Sequence, residues 1–215
     1  MNLVEVKEDV WGREVLLGVS WDLLWVVLAL TATAIVIHLL VMAFMRKPDR
    51  PSAAGNQLTR HAAVDRSFHW IMAISVFVLL FTGVLPIVGV DFDWLTIHWV
   101  AGLILTAAVL FHTIRAVFWQ SPKEMWVSAR DFKEPFDEAV KPGKYSFLQK
   151  GMHHAMTVLV LLVIGTGLAL FAVMDTPWWS RSNAMDEATL GWMFLLHGAS
   201  TLGLTLPHDL MTDAS

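Results

Sequence analysis

The 215-residue sequence predicts an all-α integral membrane protein, a bundle of five transmembrane helices, on three observations. The chain is 56% apolar, and only 16% of it is Asp, Glu, Lys or Arg. The charges leave five uncharged runs, between Asp22 and Arg46, Arg66 and Asp91, Asp93 and Arg115, Lys150 and Asp175, and Glu187 and Asp209. Each run is 21 to 24 residues long, enough to cross a bilayer as a helix. Within the runs apolar residues cover all sides, where a soluble helix carries a polar stripe.

The first span follows a segment, Met1 to Ser20, that contains acidic residues and lacks a short apolar core ending at a small-residue cleavage site. It is therefore expected to be a retained helix. Pro48, Pro51, Gly55 and Asn56 mark the loop after it, which divides an extra helix and loop (1–60) from a four-helix domain (61–215). Pro86 is placed to end or kink the second span near its outer end, because proline removes a helical donor. After the third span, Pro122, Pro135, Pro142 and Gly143 break a charged, weakly helical loop suited to lie on the membrane surface or dock a partner. Phe-Thr-Gly-Val at 81–84 and Gly-Thr-Gly-Leu at 165–168 lie late in the second and fourth spans, a weak internal resemblance.

Loop charge orients the bundle. Arg46, Lys47, Arg50, Arg60 and Arg66 follow the first span; Arg115, Lys123, Arg130, Lys133, Lys141, Lys144 and Lys150 follow the third. Both segments are expected in the cytoplasm. The Asp91–Asp93 turn has no base and residues 175–187 have only Arg181, so these face outward, with the N-terminus outside and the C-terminus inside. Trp94, Trp99, Trp178, Trp179 and Trp192 then form an outer aromatic belt, and Trp70, Trp119 and Trp126 an inner one. The expected location is the bacterial cytoplasmic (inner) membrane. The net charge of −4 says little for a chain whose charges are confined to loops, and no nucleic-acid-binding patch is present.

With no cysteine, thiolate-bound iron–sulfur clusters, covalent c-type haem and disulfides are excluded, leaving histidine as the strong metal ligand of the spans. Ionisable side chains inside a span are costly and mark functional sites. His98 and His112 lie fourteen residues apart in the third span, on nearly one helical face and about 21 Å apart along the axis. That separation points to one cofactor near each membrane surface. Assigned by depth, the outer layer holds His98 and His197; the inner layer holds His69, His112, His153, His154 and His208.

Bis-histidine haem b needs two imidazoles at one depth on different helices, with small residues beside them. His98 and His197 form such a pair, with Gly102, Gly198, Gly83 and Gly89 at similar depth. His69 is the inner member from the second span, and His112, His154 or His208 can oppose it. His38 reads as a packing residue, His61 as a solvated loop residue, and the Met and Trp residues as packing and interface residues.

Arg66-Ser-Phe-His69-Trp70, the following Thr82-Gly83, Ile97-His98-Trp99-Val100-Ala101-Gly102 with His112, Gln149-Lys150-Gly151-Met152 and Leu196-His197-Gly198 together resemble a known family. It is the cytochrome b (gamma) subunit of membrane-bound formate dehydrogenase, with the related dihaem cytochromes b of hydrogenases and thiosulfate reductase. The resemblance covers about residues 60 to 200. It implies two b haems between four helices, with electrons passing between an iron–sulfur or catalytic partner subunit and a quinone. Carried onto matching positions, it makes His69 a ligand of the cytoplasmic-side haem and His98 with His197 the ligands of the outer one. The family's remaining ligand falls near Met211, where this chain departs from the pattern; His208 and His112 are the substitutes. Lys150, His153 and His154 are candidate quinone contacts, and Arg115 a candidate partner of a haem propionate. Two rival readings stay open: a haem-free membrane anchor or transporter whose histidines form a proton path or metal site, and a self-contained cytochrome b561-like transmembrane reductase.

Overall fold

The computed structural model describes residues 3–8, 10–45, 63–119, 122–137 and 143–205. The loop carrying Pro48, Pro51, Gly55, Asn56 and His61, and the segment with His208 and Met211, lie outside the described residues, as does the side chain of His38. The elements in order are β1 (Val4–Glu8), β2 (Glu14–Val19), α1 (Trp21–Met45), α2 (Ala63–Val84), α3 (Trp94–Trp119), α4 (Phe147–Ala172) and α5 (Glu187–Thr205), with short 3₁₀ turns at Pro122–Met125 and Asp131–Lys133. The chain divides into two compact units, Met1–Ile35 with Ser121–Ser215, and Val36–Gln120.

Each of the five expected spans contains a helix among the described residues, and three of these, Arg66–Val84, Trp94–Trp119 and Phe147–Ala172, are long and apolar enough to cross a membrane. The described apolar part of α1, Asp22–Thr33, is shorter. The helices are clothed in exposed apolar side chains such as Ile74, Phe77, Phe81, Leu110, Val117, Val158 and Leu161, while few side chains are buried, Ala101, Leu105, Val163 and Leu202 among them. Water cannot stably cover such a surface, and lipid can.

In the unit of residues 36–120, α2 packs against α3 as a helical hairpin. The second uncharged run extends to Val90, but α2 stops at Val84. Pro86 has no N–H to continue the ladder and disfavours helical geometry in the residue before it. The chain turns instead through Ile87 N–H to the Val84 carbonyl and Gly89 N–H to the Pro86 carbonyl, with Gly89 at φ +89°, a conformation glycine adopts without a Cβ clash.

The unit containing the N-terminus holds an element that the helical reading of the sequence missed. Strands β1 and β2 pair antiparallel, Val4 opposite Val19 and Glu8 opposite Glu14, with an irregularity after Glu5. The alternating Val4-Glu5-Val6-Lys7 is a period-two signal, outweighed by the long apolar runs that follow. Strand β2 lies on α5. The positions where a Cβ would sit on Gly191 and Gly198 are 2.5 Å from the Leu16 carbonyl oxygen and 3.2 Å from Val19 Cγ2. Ser20 then caps α1, its Oγ accepting from the Leu23 N–H at 3.1 Å, and the first half of α1 meets the end of α5 where the Thr31 and Thr205 hydroxyls are 3.4 Å apart.

The loop before α4 packs on the start of its own helix. Ser146 and Gln149 form a reciprocal capping box at the start of α4, and the Phe147 N–H donates to Glu134 Oε2 at 3.0 Å. Lys150 Nζ reaches Asp131 Oδ2 at 3.0 Å and the Trp126 carbonyl at 3.3 Å, and Phe132 meets Phe147 at a ring separation of 5.0 Å. The Ser128 N–H, then Lys150, then the Ser128 hydroxyl donate to the Asp131 carboxylate and lower its pKa from 3.8 to about 2.

Gly191→Ala drives a methyl into the Leu16 carbonyl and is expected to destabilise the hairpin seat by about 1–3 kcal/mol, read as protease sensitivity of residues 3–19. Gly165→Ala, with nothing within 4 Å of its Cβ position, leaves that sensitivity unchanged. Because the Asp131 carboxylate is favoured in the folded state, its contribution to loop docking is complete above pH 3.8 and is lost as pH falls through about 2. Lys150→Met removes one of the groups responsible and is expected to bring loop release, followed by proteolysis or hydrogen exchange of residues 122–137, to a higher pH. An acid release profile identical to that of the parent chain counts against the Asp131–Lys150 tie.

Candidate functional site: two histidines held by threonines

Thr82 lies two residues before the end of α2 and is only 3% exposed. Its Oγ1 is 2.7 Å from the Val78 carbonyl oxygen and 2.8 Å from Nδ1 of His98, on the first turns of α3. A hydroxyl has one proton. Without that proton between them, Oγ1 and the Val78 oxygen would face each other lone pair to lone pair at 2.7 Å. The proton therefore goes to the carbonyl, and Oγ1 accepts from His98. The neutral imidazole is thereby set as the Nδ1–H tautomer, with the lone pair on Nε2. Gly83 borders the same ring, its Cβ position 3.9 Å from His98 Cε1, and Trp94 meets it edge-on at 6.5 Å.

The unit containing α4 and α5 repeats the arrangement. Thr166, 5% exposed, has its Oγ1 2.6 Å from the Leu162 carbonyl oxygen and 3.0 Å from Nδ1 of His197 on α5. The same single-proton reasoning gives His197 the same tautomer, and the Val163 carbonyl of α4 also accepts from this ring. The glycine is needed here, since a Cβ on Gly167 would sit 3.2 Å from His197 Cε1. Thr and His are 16 residues apart in one hairpin and 31 in the other, yet the local geometry matches. The resemblance between 81–84 and 165–168 therefore has a physical content: each Thr-Gly step receives a histidine from the next helix.

His112 lies at the opposite end of α3 from His98, where its ring stacks face to face on Phe68, 4.7 Å between centroids and 6° between planes. His69 follows Phe68 in the chain and is exposed beside the edge of Trp70. The α2–α3 hairpin thus carries imidazoles in two layers, His98 at one end and His69 with His112 at the other. His153 and His154, both exposed near the start of α4, have ring centroids 5.8 Å apart, and Arg115 is half-buried one turn after His112. Lys150 is engaged by Asp131.

Of the glycines expected beside the outer histidines, Gly83 borders His98, whereas Gly198 faces Val19, Gly102 faces Leu79 and Gly89 serves the turn. The glycine against His197 is Gly167. Spacing along one helix indicates depth but not which face a residue turns to its neighbour. The roles of Thr82 and Thr166 were likewise missed, although their Thr-Gly repeat was visible.

Among the described residues no three His, Asp or Glu side chains converge as a metal-binding group. The donors are single imidazoles with Nε2 lone pairs, a set that suits a metal already held by four equatorial nitrogens. The profile of the prokaryotic cytochrome b561 family matches residues 60–206. No curated protein and no solved structure matches the chain. The apolar helices, the paired imidazole sites and a match covering more than half of the sequence agree: the chain belongs to the prokaryotic cytochrome b561 family, membrane-bound b-type cytochromes that transfer electrons.

Proposed function

We propose that the chain is the membrane-embedded dihaem cytochrome b subunit of a respiratory oxidoreductase in the bacterial inner membrane. It relays electrons between an iron–sulfur or cytochrome partner subunit and the quinone pool. The observation that carries this reading is the pair of imidazoles, His98 and His197, each given an Nε2 lone pair by a buried threonine. On their depth in the sequence and on the family resemblance, the two are assigned as ligands of one haem b. His69 is assigned to a second haem near the cytoplasmic surface, with His112, His154 and His208 as the candidates to complete it.

Haem b, when bound, supplies a one-electron Fe(III)/Fe(II) couple. The chain's own part is to hold the ligand nitrogens, exclude water and leave the imidazoles neutral. Arg115 is suited to pair a propionate, with its charge near the cytoplasmic end of α3. His153 and His154 are suited to exchange protons with a quinone headgroup at the same surface. Lys150 takes that part only by leaving Asp131. The partner subunit and the orientation, N-terminus outside and C-terminus inside, rest on the resemblance and on loop charge.

The family match equally favours a self-contained cytochrome b561-like transmembrane reductase. The purified chain in lipid nanodiscs separates the readings. Reduced-minus-oxidised spectra with pyridine-haemochrome quantification are expected to give two b haems per chain, and His98→Ala and His197→Ala each to remove the same one. Rapid reduction by a short-chain quinol supports the quinone-linked subunit. Reduction by ascorbate alone, with no response to quinol, supports the reductase. A chain purified without a b-type band ends both.

A further inference from the structure

We propose that Thr82 and Thr166 are positioning residues for the axial ligands: each hydroxyl, aimed by a carbonyl of its own helix, accepts the Nδ1–H of an imidazole on the next helix and fixes its tautomer and ring orientation. This rests on haem binding by His98 and His197 as proposed above, and adds the groups that make those imidazoles competent.

Back-bonding of a Ser or Thr hydroxyl to the carbonyl four residues earlier is common in this chain. Ser75, Thr106, Thr113, Thr157 and Thr201 do it with Ile71, Gly102, Val109, His153 and His197. Thr82 and Thr166 add a second bond, to an imidazole nitrogen at 2.8 and 3.0 Å, and both are almost fully buried. In each, an N–H donates to a hydroxyl oxygen whose own proton is given to a carbonyl, and such a chain polarises each link. A ring held only by its Cα–Cβ and Cβ–Cγ torsions can present either nitrogen. A ring whose Nδ1–H is committed presents Nε2 alone. The acceptor is an uncharged hydroxyl rather than a carboxylate, so the imidazole keeps its proton and remains a neutral ligand.

Thr→Val keeps the shape and removes the hydroxyl acceptor, leaving His197 only the Val163 carbonyl, and Thr→Ser restores the hydroxyl. Thr106→Val is the control, since Thr106 bonds the Gly102 carbonyl on the same kind of helix and is bonded to neither His98 nor His197. With the full chain in nanodiscs, Thr82→Val is expected to weaken haem binding about 10–100-fold, and Thr166→Val by less, because the Val163 carbonyl still accepts from His197. They should also move the midpoint potential of the retained haem positive, because a ligand that has lost its acceptor is less basic and favours Fe(III) less. Thr82→Ser and Thr166→Ser should return both quantities to those of the parent. Valine variants that match Thr106→Val in haem content, potential and low-spin ferric EPR overturn the proposal while leaving haem binding intact.

If the valine variants fail to accumulate, ¹⁵N-histidine NMR of the dithionite-reduced parent chain decides. Through-space contacts from the Nδ1 protons of His98 and His197 to the methyl groups of Thr82 and Thr166 support the proposal, and their absence overturns it. If the parent carries no haem, haem ligation fails separately. The same spectrum then reads the tautomer directly, with Nδ1–H supporting the positioning role and Nε2–H overturning it.

Discussion

A hydroxyl group has one proton to give, and a threonine buried in a helix gives it most readily to a carbonyl of its own helix. The carbonyl one turn back is the available acceptor, and Thr82 and Thr166 use it. Once that proton is committed, the oxygen that remains can only accept, and the group that meets it must be a donor. The tautomer of His98 and the nitrogen it offers to a metal follow from this constraint, and those of His197 follow from it together with the Val163 carbonyl. At His197 the glycine just after the threonine, Gly167, also lets the ring approach the helix backbone.

A second constraint is close backbone approach. Strand β2 is accepted on α5 because Gly191 and Gly198 present no side chain there, one against the Leu16 carbonyl and the other against Val19. Gly198 directly follows His197, so two neighbouring residues of α5 face different tasks, His197 meeting Thr166 and Gly198 meeting the N-terminal hairpin. The hairpin is also tied to the first turn of α5 by Arg13 and Glu187 at 3.0 Å, an exposed pair whose contribution is small beside the packing.

The loop between α3 and α4 shows the opposite economy, with charge used internally. Lys150 and Asp131 neutralise each other in a largely buried pair, supported by Ser128 and the Trp126 carbonyl, so the segment before α4 is folded back onto the helix it precedes. A lysine at the opening of an apolar helix reads in sequence as a candidate for ligand or quinone contact. Its partner lies 19 residues upstream in an irregular segment, where no periodic pattern points to it.

The sequence by itself determined the class of the protein, because length of apolar run, loop charge and the absence of cysteine are one-dimensional properties that the bilayer and metal chemistry read directly. It determined too that histidines fall in two layers along the α2–α3 hairpin, since a helix converts residue number into depth at a constant rise. Rotation about the helix axis and the partner across it were decided only in the tertiary structure. Phe68 stacks on His112, Val19 fills the space beside Gly198, and Thr82 and Thr166 hold His98 and His197, contacts set by how each pair of helices packs. The N-terminal hairpin belongs with these, because the short alternation of Val4–Glu8 is a strand only through its pairing with β2, which is seated where Gly191 and Gly198 of α5 leave room.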